Sequence, residues 1–90
     1  MPRLRFTPHL RRFFPGLAEC DLPASTVAET IRALDQLHPG LAGYLIDDQG
    51  SLRRHVNVFV RGELVRDRVR LTDATGPDDE VFILQALSGG

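Results

Sequence analysis

The sequence predicts an α+β domain, with one amphipathic helix laid across one face of a mixed sheet of four to five strands. Three stretches carry that expectation. "STVAETIRALDQL" repeats apolar residues at helical spacing, "HVNVFV" alternates them with period two, and "EVFIL" forms a second strongly apolar strand close to the C-terminus. Ninety residues, 42% of them hydrophobic, suit one domain over residues 1–90 with a modest core, and no internal boundary is expected.

Taken in order, Leu4 and Phe6 alternate with Arg3 and Arg5 as in a half-buried strand over residues 3–7. The arginine-rich start loosely fits an organelle transit peptide, but the alternation accounts for it without any cleavage. Pro8, Pro15 and Gly16 bracket "PHLRRFFPG" as a loop, from which Phe13 and Phe14 fold back over the core edge. In "LAECDL", Ala18, Cys20 and Leu22 point inward and Glu19 and Asp21 outward, so a second strand pairs with the first.

The helix is the strongest local signal. Thr26 and Glu29 fit a capping box, and Val27, Ile31, Leu34 and Leu37 mark its apolar stripe. Pro39 and Gly40 end it, with His38 favourably placed at the negative end of the helix dipole. A short apolar piece at residues 44–46 leads to a turn at 47–50. Val56, Val58 and Val60 then share one face of a strand, with His55, Asn57 and Phe59 on the other. Arg61-Gly62 reads as a turn into a short strand at residues 63–65, "RVRL" as a further edge piece, and "TDATGPDDE" as polar turn chemistry before the last strand.

Composition and motifs exclude several function classes. A net charge of -1 with pI near 6.3 argues against nucleic acid as the main partner, since phosphate binding needs a surplus of basic residues. No apolar run approaches the roughly 20 residues that span a bilayer, so a soluble protein without a membrane partner is expected. One cysteine, Cys20, permits no internal disulfide and points to a reducing, cytoplasmic setting. No phosphate loop or dinucleotide fingerprint is present. His9, His38 and His55 lie on separate elements without metal-ligand spacing, and Ser25 and Ser88 lack a nucleophile elbow. No intrinsic catalytic site, bound cofactor or metal is expected.

The ending "QALSGG" is the remaining chemical feature. Chance supplies a terminal Gly-Gly in about one chain in two hundred, so its weight comes from placement directly after a strand. Residues 85–90, read as a flexible C-terminal tail, could extend about 20 Å and carry a carboxylate into a partner's active site. Without a Cβ at Gly89 or Gly90, the end can thread a narrow channel. A carboxylate is a poor electrophile, so chemistry there needs prior conversion to an acyl-adenylate, with ATP used by an activating partner. A sulfur or thiol nucleophile could then attack the adenylate.

"STVAETIRALDQLHPGL", "HVNVFVRGE", "GPDDEV" and "ILQALSGG" together resemble the ubiquitin-like sulfur-carrier proteins of the MoaD/ThiS type along nearly the whole chain. The Gly-Gly in register with a final "DEVFIL" strand is the most specific element. The resemblance implies a β-grasp fold and a carrier that is a protein cosubstrate, not an enzyme. It also implies that Gly90, with Gly89 beside it, is adenylated by an E1-like enzyme and converted to a thiocarboxylate with sulfur from a donor. That sulfur passes to an acceptor such as the large subunit of molybdopterin synthase or a cysteine synthase type of enzyme. Small subunits of molybdopterin synthase commonly carry Pro-Pro before the terminal segment, which this chain lacks. The length and the "HVNVFV" strand resemble the longer carriers, including those of cysteine synthesis, and thiamine carriers are usually shorter.

Strand alternation adds a separate expectation. With Val56, Val58, Val60, Val81 and Ile83 inward, Phe59, Phe82 and Leu84 face outward and, with Leu87, form a partner-binding patch at the root of the tail. The competing arrangement packs these side chains beneath "LRRFF". Two alternative functions also stand: a ubiquitin-like interaction module without thiocarboxylate chemistry, and a permanent small subunit whose tail stays inserted in a sulfur-transferring enzyme.

Overall fold

The computed structural model describes residues 1–85, apart from the side chain of His9. Its elements are β1 (Arg3–Phe6), α1 (Pro8–Arg11), β2 (Cys20–Asp21), α2 (Val27–Leu37), α3 (Leu41–Leu45), β3 (Val56–Val60), β4 (Glu63–Leu64) and β5 (Glu80–Gln85). The five strands form one mixed sheet in the order β2-β1-β5-β3-β4. β5 occupies the centre, parallel to β1 and antiparallel to β3. The remaining pairs, β1 with β2 and β3 with β4, are antiparallel.

Period-two alternation sends one side of each long strand into the core. Leu4 and Phe6 of β1, the three valines of β3, and Val81 and Ile83 of β5 are all buried. α2 closes this face with Val27, Ile31 and Leu34. Burying an aliphatic side chain of this size contributes roughly 1.5–3 kcal/mol, so the inner face is the main source of stability. Thr30 is buried in the same helix, and its hydroxyl is satisfied by donating to the Thr26 carbonyl at 3.0 Å.

The helix starts where its capping chemistry requires. The Thr26 side chain accepts from the Glu29 backbone N–H at 3.2 Å. The Glu29 carboxylate reaches back to the Ser25 N–H at 2.7 Å, one residue earlier than the simplest box. At the β3–β4 hairpin, Arg61 and Gly62 both take left-handed conformations, with φ 54° and 80°, the geometry of a two-residue turn matched to strand twist.

Four expectations need correction. The segment after β1 is not wholly loop: Pro8 opens the short helix α1, where its missing N–H is harmless, and Leu10 is fully buried. β2 is only two residues long, so alternation does not extend to Ala18, which is exposed while Leu17 is buried. Leu37 is 57% exposed, because the chain turns at Gly40 and α3 supplies Leu41 and Leu45 to the core instead. α3 itself is held by a carboxylate on the preceding helix: Asp35 accepts from the Gly40 and Ala42 N–H groups at 3.1 and 3.0 Å. Finally, "RVRL" forms a turn, not an edge strand.

The helix contacts give a direct stability test. Leu34→Ala should cost about 2–5 kcal/mol, Thr26→Ala about 1 kcal/mol, and Leu37→Ala less than about 0.5 kcal/mol in urea unfolding. A Leu37→Ala loss as large as that of Leu34→Ala would contradict the packing described.

Candidate functional site

The face of the sheet opposite α2 is built by the complementary set of strand positions. Register places Leu64 beside Phe59, Phe59 beside Phe82, and Phe82 beside Arg5, a row crossing β4, β3, β5 and β1. The next row pairs Asn57 with Leu84. Phe59, Phe82 and Leu84 are half-buried and, with Gly62 and Glu80, line one shallow depression. Leu64 is 50% exposed at its margin.

Charged groups frame this apolar row. The Arg5 guanidinium lies 5.8 Å from the centroid of the Phe82 ring, within cation–π range. It also pairs with Glu80 at 3.2 Å and with Glu19 at 3.8 Å. These ion pairs are exposed, so they orient Arg5 more than they stabilise the fold. The arrangement offers a partner an apolar strip with a polar rim, the composition of a small protein-binding surface.

The root of the tail is set by β5. Its last residue, Gln85, stands opposite Val56 at the start of β3. That start is held by Arg68, whose guanidinium donates to Asn57 Oδ1 at 3.0 Å and to the carbonyls of Arg53 and Val56 at 2.7 and 2.9 Å. Arg68 is positioned in turn by Asp67, which accepts from the Val69 and Arg70 N–H groups and from the Thr72 hydroxyl. The Arg70 N–H, then the Thr72 hydroxyl, lower the Asp67 pKa to about 2. Leu87, Gly89 and Gly90 lie outside the described residues.

Cys20 does not offer a reactive thiolate. It is partly buried, and burial followed by the neighbouring Asp21 charge raises its pKa above the ordinary thiol value. Among the described residues no cluster of three or more His, Cys, Asp or Glu side chains could hold a metal ion. No described helix is long and apolar enough to cross a membrane.

Sequence reasoning named Phe59, Phe82 and Leu84 and missed Leu64, Arg5 and Glu80. Leu64 was accessible to the same argument, since it is the apolar residue of the short strand that precedes the buried Val65. Arg5 and Glu80 carried no such signal, because only the parallel pairing of β1 with β5 brings them together.

One helix packed on a five-stranded mixed sheet with a central, parallel-paired last strand is a β-grasp fold, and it places the chain among the ubiquitin-like carrier and modifier proteins. The chain belongs to the ThiS family, whose sequence profile matches residues 10–90. It is similar to small archaeal modifier protein 1 of Haloferax volcanii, at 35% identity over 66 residues, which is 73% of this chain and 71% of the relative. It is similar also to the sulfur carrier protein CysO of Mycobacterium tuberculosis, at 32% identity over 83 residues, covering 90% and 89% of the two chains. A chain in the crystal structure of the Amycolatopsis orientalis BexX/CysO complex matches over 100% of both chains, with TM-score 0.85 and 27% identity.

The Asp67 turn makes acid behaviour testable. Its folded pKa lies below the ordinary value of 3.8, so its stabilisation is present above that value and is lost as pH falls to about 2. Thermal melts of the parent should lose stability across that window, while Asp67→Asn starts less stable and loses less. Parallel curves for the two proteins would remove Asp67 as the source.

Proposed function

We propose that this chain is a sulfur carrier whose Gly90 α-carboxylate is activated and converted to a thiocarboxylate by partner enzymes. The carboxylate oxygen attacks the α-phosphorus of ATP held by an E1-like adenylating enzyme, giving the acyl-adenylate and releasing pyrophosphate. Hydrosulfide supplied by the donor then attacks the acyl carbon, loses its proton and displaces AMP, leaving a thiocarboxylate with sulfur in place of one oxygen. The acceptor is a molybdopterin synthase large subunit or an enzyme of cysteine synthase type. On this reading the protein works in the cytoplasm and binds no cofactor itself.

The observation that carries the proposal is the placement of β5. The strand leading to the tail is clamped between two neighbours, and the apolar residues Phe59, Phe82 and Leu84 lie along the outer face, with Leu84 next to its last residue. A partner docked on that face sits beside the end of β5, after which the glycines follow within five residues of sequence. Membership of the ThiS family and similarity to a sulfur carrier support the same chemistry. Similarity to small archaeal modifier protein 1 favours a second reading, in which a protein amine attacks the same adenylate and an amide forms.

Intact mass spectrometry separates the two. With ATP, the cognate adenylating enzyme and a sulfur donor, the carrier reading expects a mass change of one oxygen replaced by sulfur, abolished by deleting Gly90. Covalent adducts to other proteins without that change would favour the modifier reading, and no modification at all would sink both.

The docking face has its own test. Phe59→Ala or Leu84→Ala should weaken binding to the adenylating enzyme about tenfold, the scale of an interface hot spot. Their melting temperatures should fall only a few degrees, since both residues are half-buried on the outer face. Collapse of the fold in either variant would show that these side chains act in the core instead.

A further inference from the structure

The end of the sheet where β5 finishes carries a concentration of positive charge that forms no ion pair among the described residues. β1 and β5 are parallel and β3 opposes them, so the residues after β1 and those before β3 flank the end of β5. On one side the Thr7 N–H donates to the Ile83 carbonyl at 3.3 Å, and the chain continues to the exposed Arg11 and Arg12. On the other side stand Arg53, Arg54 and His55, all exposed, with Arg68 held against their backbone. Tyr44 links the two sides, with ring centroids 5.1 Å from Phe13 and 6.4 Å from His55.

Among the described residues, none of these arginines takes part in an ion pair. The four ion pairs among the described residues use Arg3, Arg5 and Arg61. Residues 7–12 and 53–56 contain no carboxylate. The nearest acids in sequence, Asp48 before Arg53 and Glu19 after Arg12, form no ion pair with these arginines: Glu19 pairs with Arg5, Asp48 is in none of the four pairs, and the Asp67 oxygens are engaged by their own turn. At the opposite end of the sheet the acids Asp21, Glu80 and Asp79 are paired with Arg3, Arg5 and Arg61, leaving Glu63 beside them, so the uncompensated positive charge is concentrated at the end where β5 finishes.

We infer that Arg11, Arg12, Arg53, Arg54 and Arg68 form a basic collar around the tail root that docks on an acidic protein surface surrounding the activating enzyme's tail channel. The inference rests on the carrier reading and adds to it the charge of the partner's surface. Unpaired charge beside the segment that must enter a channel raises the local concentration of an oppositely charged mouth and orients the encounter. A bounded acidic patch satisfies the collar and leaves the acidic end in solvent. A nucleic acid strand running along the molecule would meet Glu63, Asp79 and Glu80 as well.

The test uses the full chain and the cognate adenylating enzyme, with association rates measured by stopped flow. Arg12→Glu combined with Arg54→Glu should slow association about tenfold at low salt. The corresponding double Gln variant should show a smaller loss, and both deficits should shrink at about 0.5 M salt through screening. Arg32→Glu on the exposed side of α2 should change the rate less than about twofold. Thermal melts confirm that each variant is folded.

An unchanged rate in the double Glu variant, or an equal loss in Arg32→Glu, overturns the collar. Tight binding of polyuridylate that the double variant loses, with enzyme association unaffected, overturns it in favour of an RNA surface. The outcomes also separate the collar from the carrier reading. A parent that associates in a charge-dependent way yet never gains sulfur keeps the collar and loses the carrier. A double variant that associates normally in an otherwise active system does the reverse.

Discussion

The insertion of β5 between β1 and β3 is the constraint on which the rest of the structure depends. Val81 and Ile83 are tied in register to Leu4 and Phe6 on one side and to Val60 and Val58 on the other. A parallel pair cannot be closed by a tight turn, so the intervening chain must leave the sheet and cross over it. α2 is part of that crossover, and its apolar stripe covers the surface that the pairing creates. Core burial, the position of the outer row and the place where β5 ends all follow from this one placement.

The same alternation gives the strands two separable tasks. Inward residues hold the fold, while Phe59, Phe82 and Leu84 lie on the other face of the same hydrogen-bonded frame. A ladder fixed by backbone bonds and a buried valine face keeps the outer side chains in a constant arrangement. The outer face is thus preorganised by core packing, and a partner docking there need not order those strands.

Much of this was legible in the sequence wherever local chemistry and burial agreed. Thr26, Glu29 and the stripe of Val27, Ile31 and Leu34 define α2, and "HVNVFV" and "EVFIL" read directly as strands with an inner and an outer face. The structure departs from that reading where a side chain organises backbone several residues away. Asp35 capping the start of α3 and Asp67 gathering the 68–72 turn are such cases, since neither changes the hydrophobic period. Leu37 shows the opposite error, an apolar residue near the stripe whose place is filled by α3. The Arg5–Phe82 contact depends on strand order, and the approach of the Arg12 segment to the Arg54 segment through Phe13, Tyr44 and His55 depends on tertiary packing, neither of which alternation encodes. Gly89 and Gly90 are the reverse case, visible in the sequence and outside the described residues.

Under the carrier reading, the apolar row and the basic collar answer different kinetic demands. One tail must visit an activating enzyme and then an acceptor, so each complex has to dissociate once its step is complete. Residence time is set mainly by desolvated contacts such as Phe59 and Phe82, whereas encounter rate responds to long-range charge. The row occupies the sheet face and the collar its end, so affinity and association can be adjusted by different residues. A small outer face keeps release fast, and the unpaired arginines offset the slow encounter that weak apolar docking would otherwise impose. The uncompensated positive charge at this end of the sheet then has a physical use: it turns the end of β5 toward an acidic partner surface before contact is made.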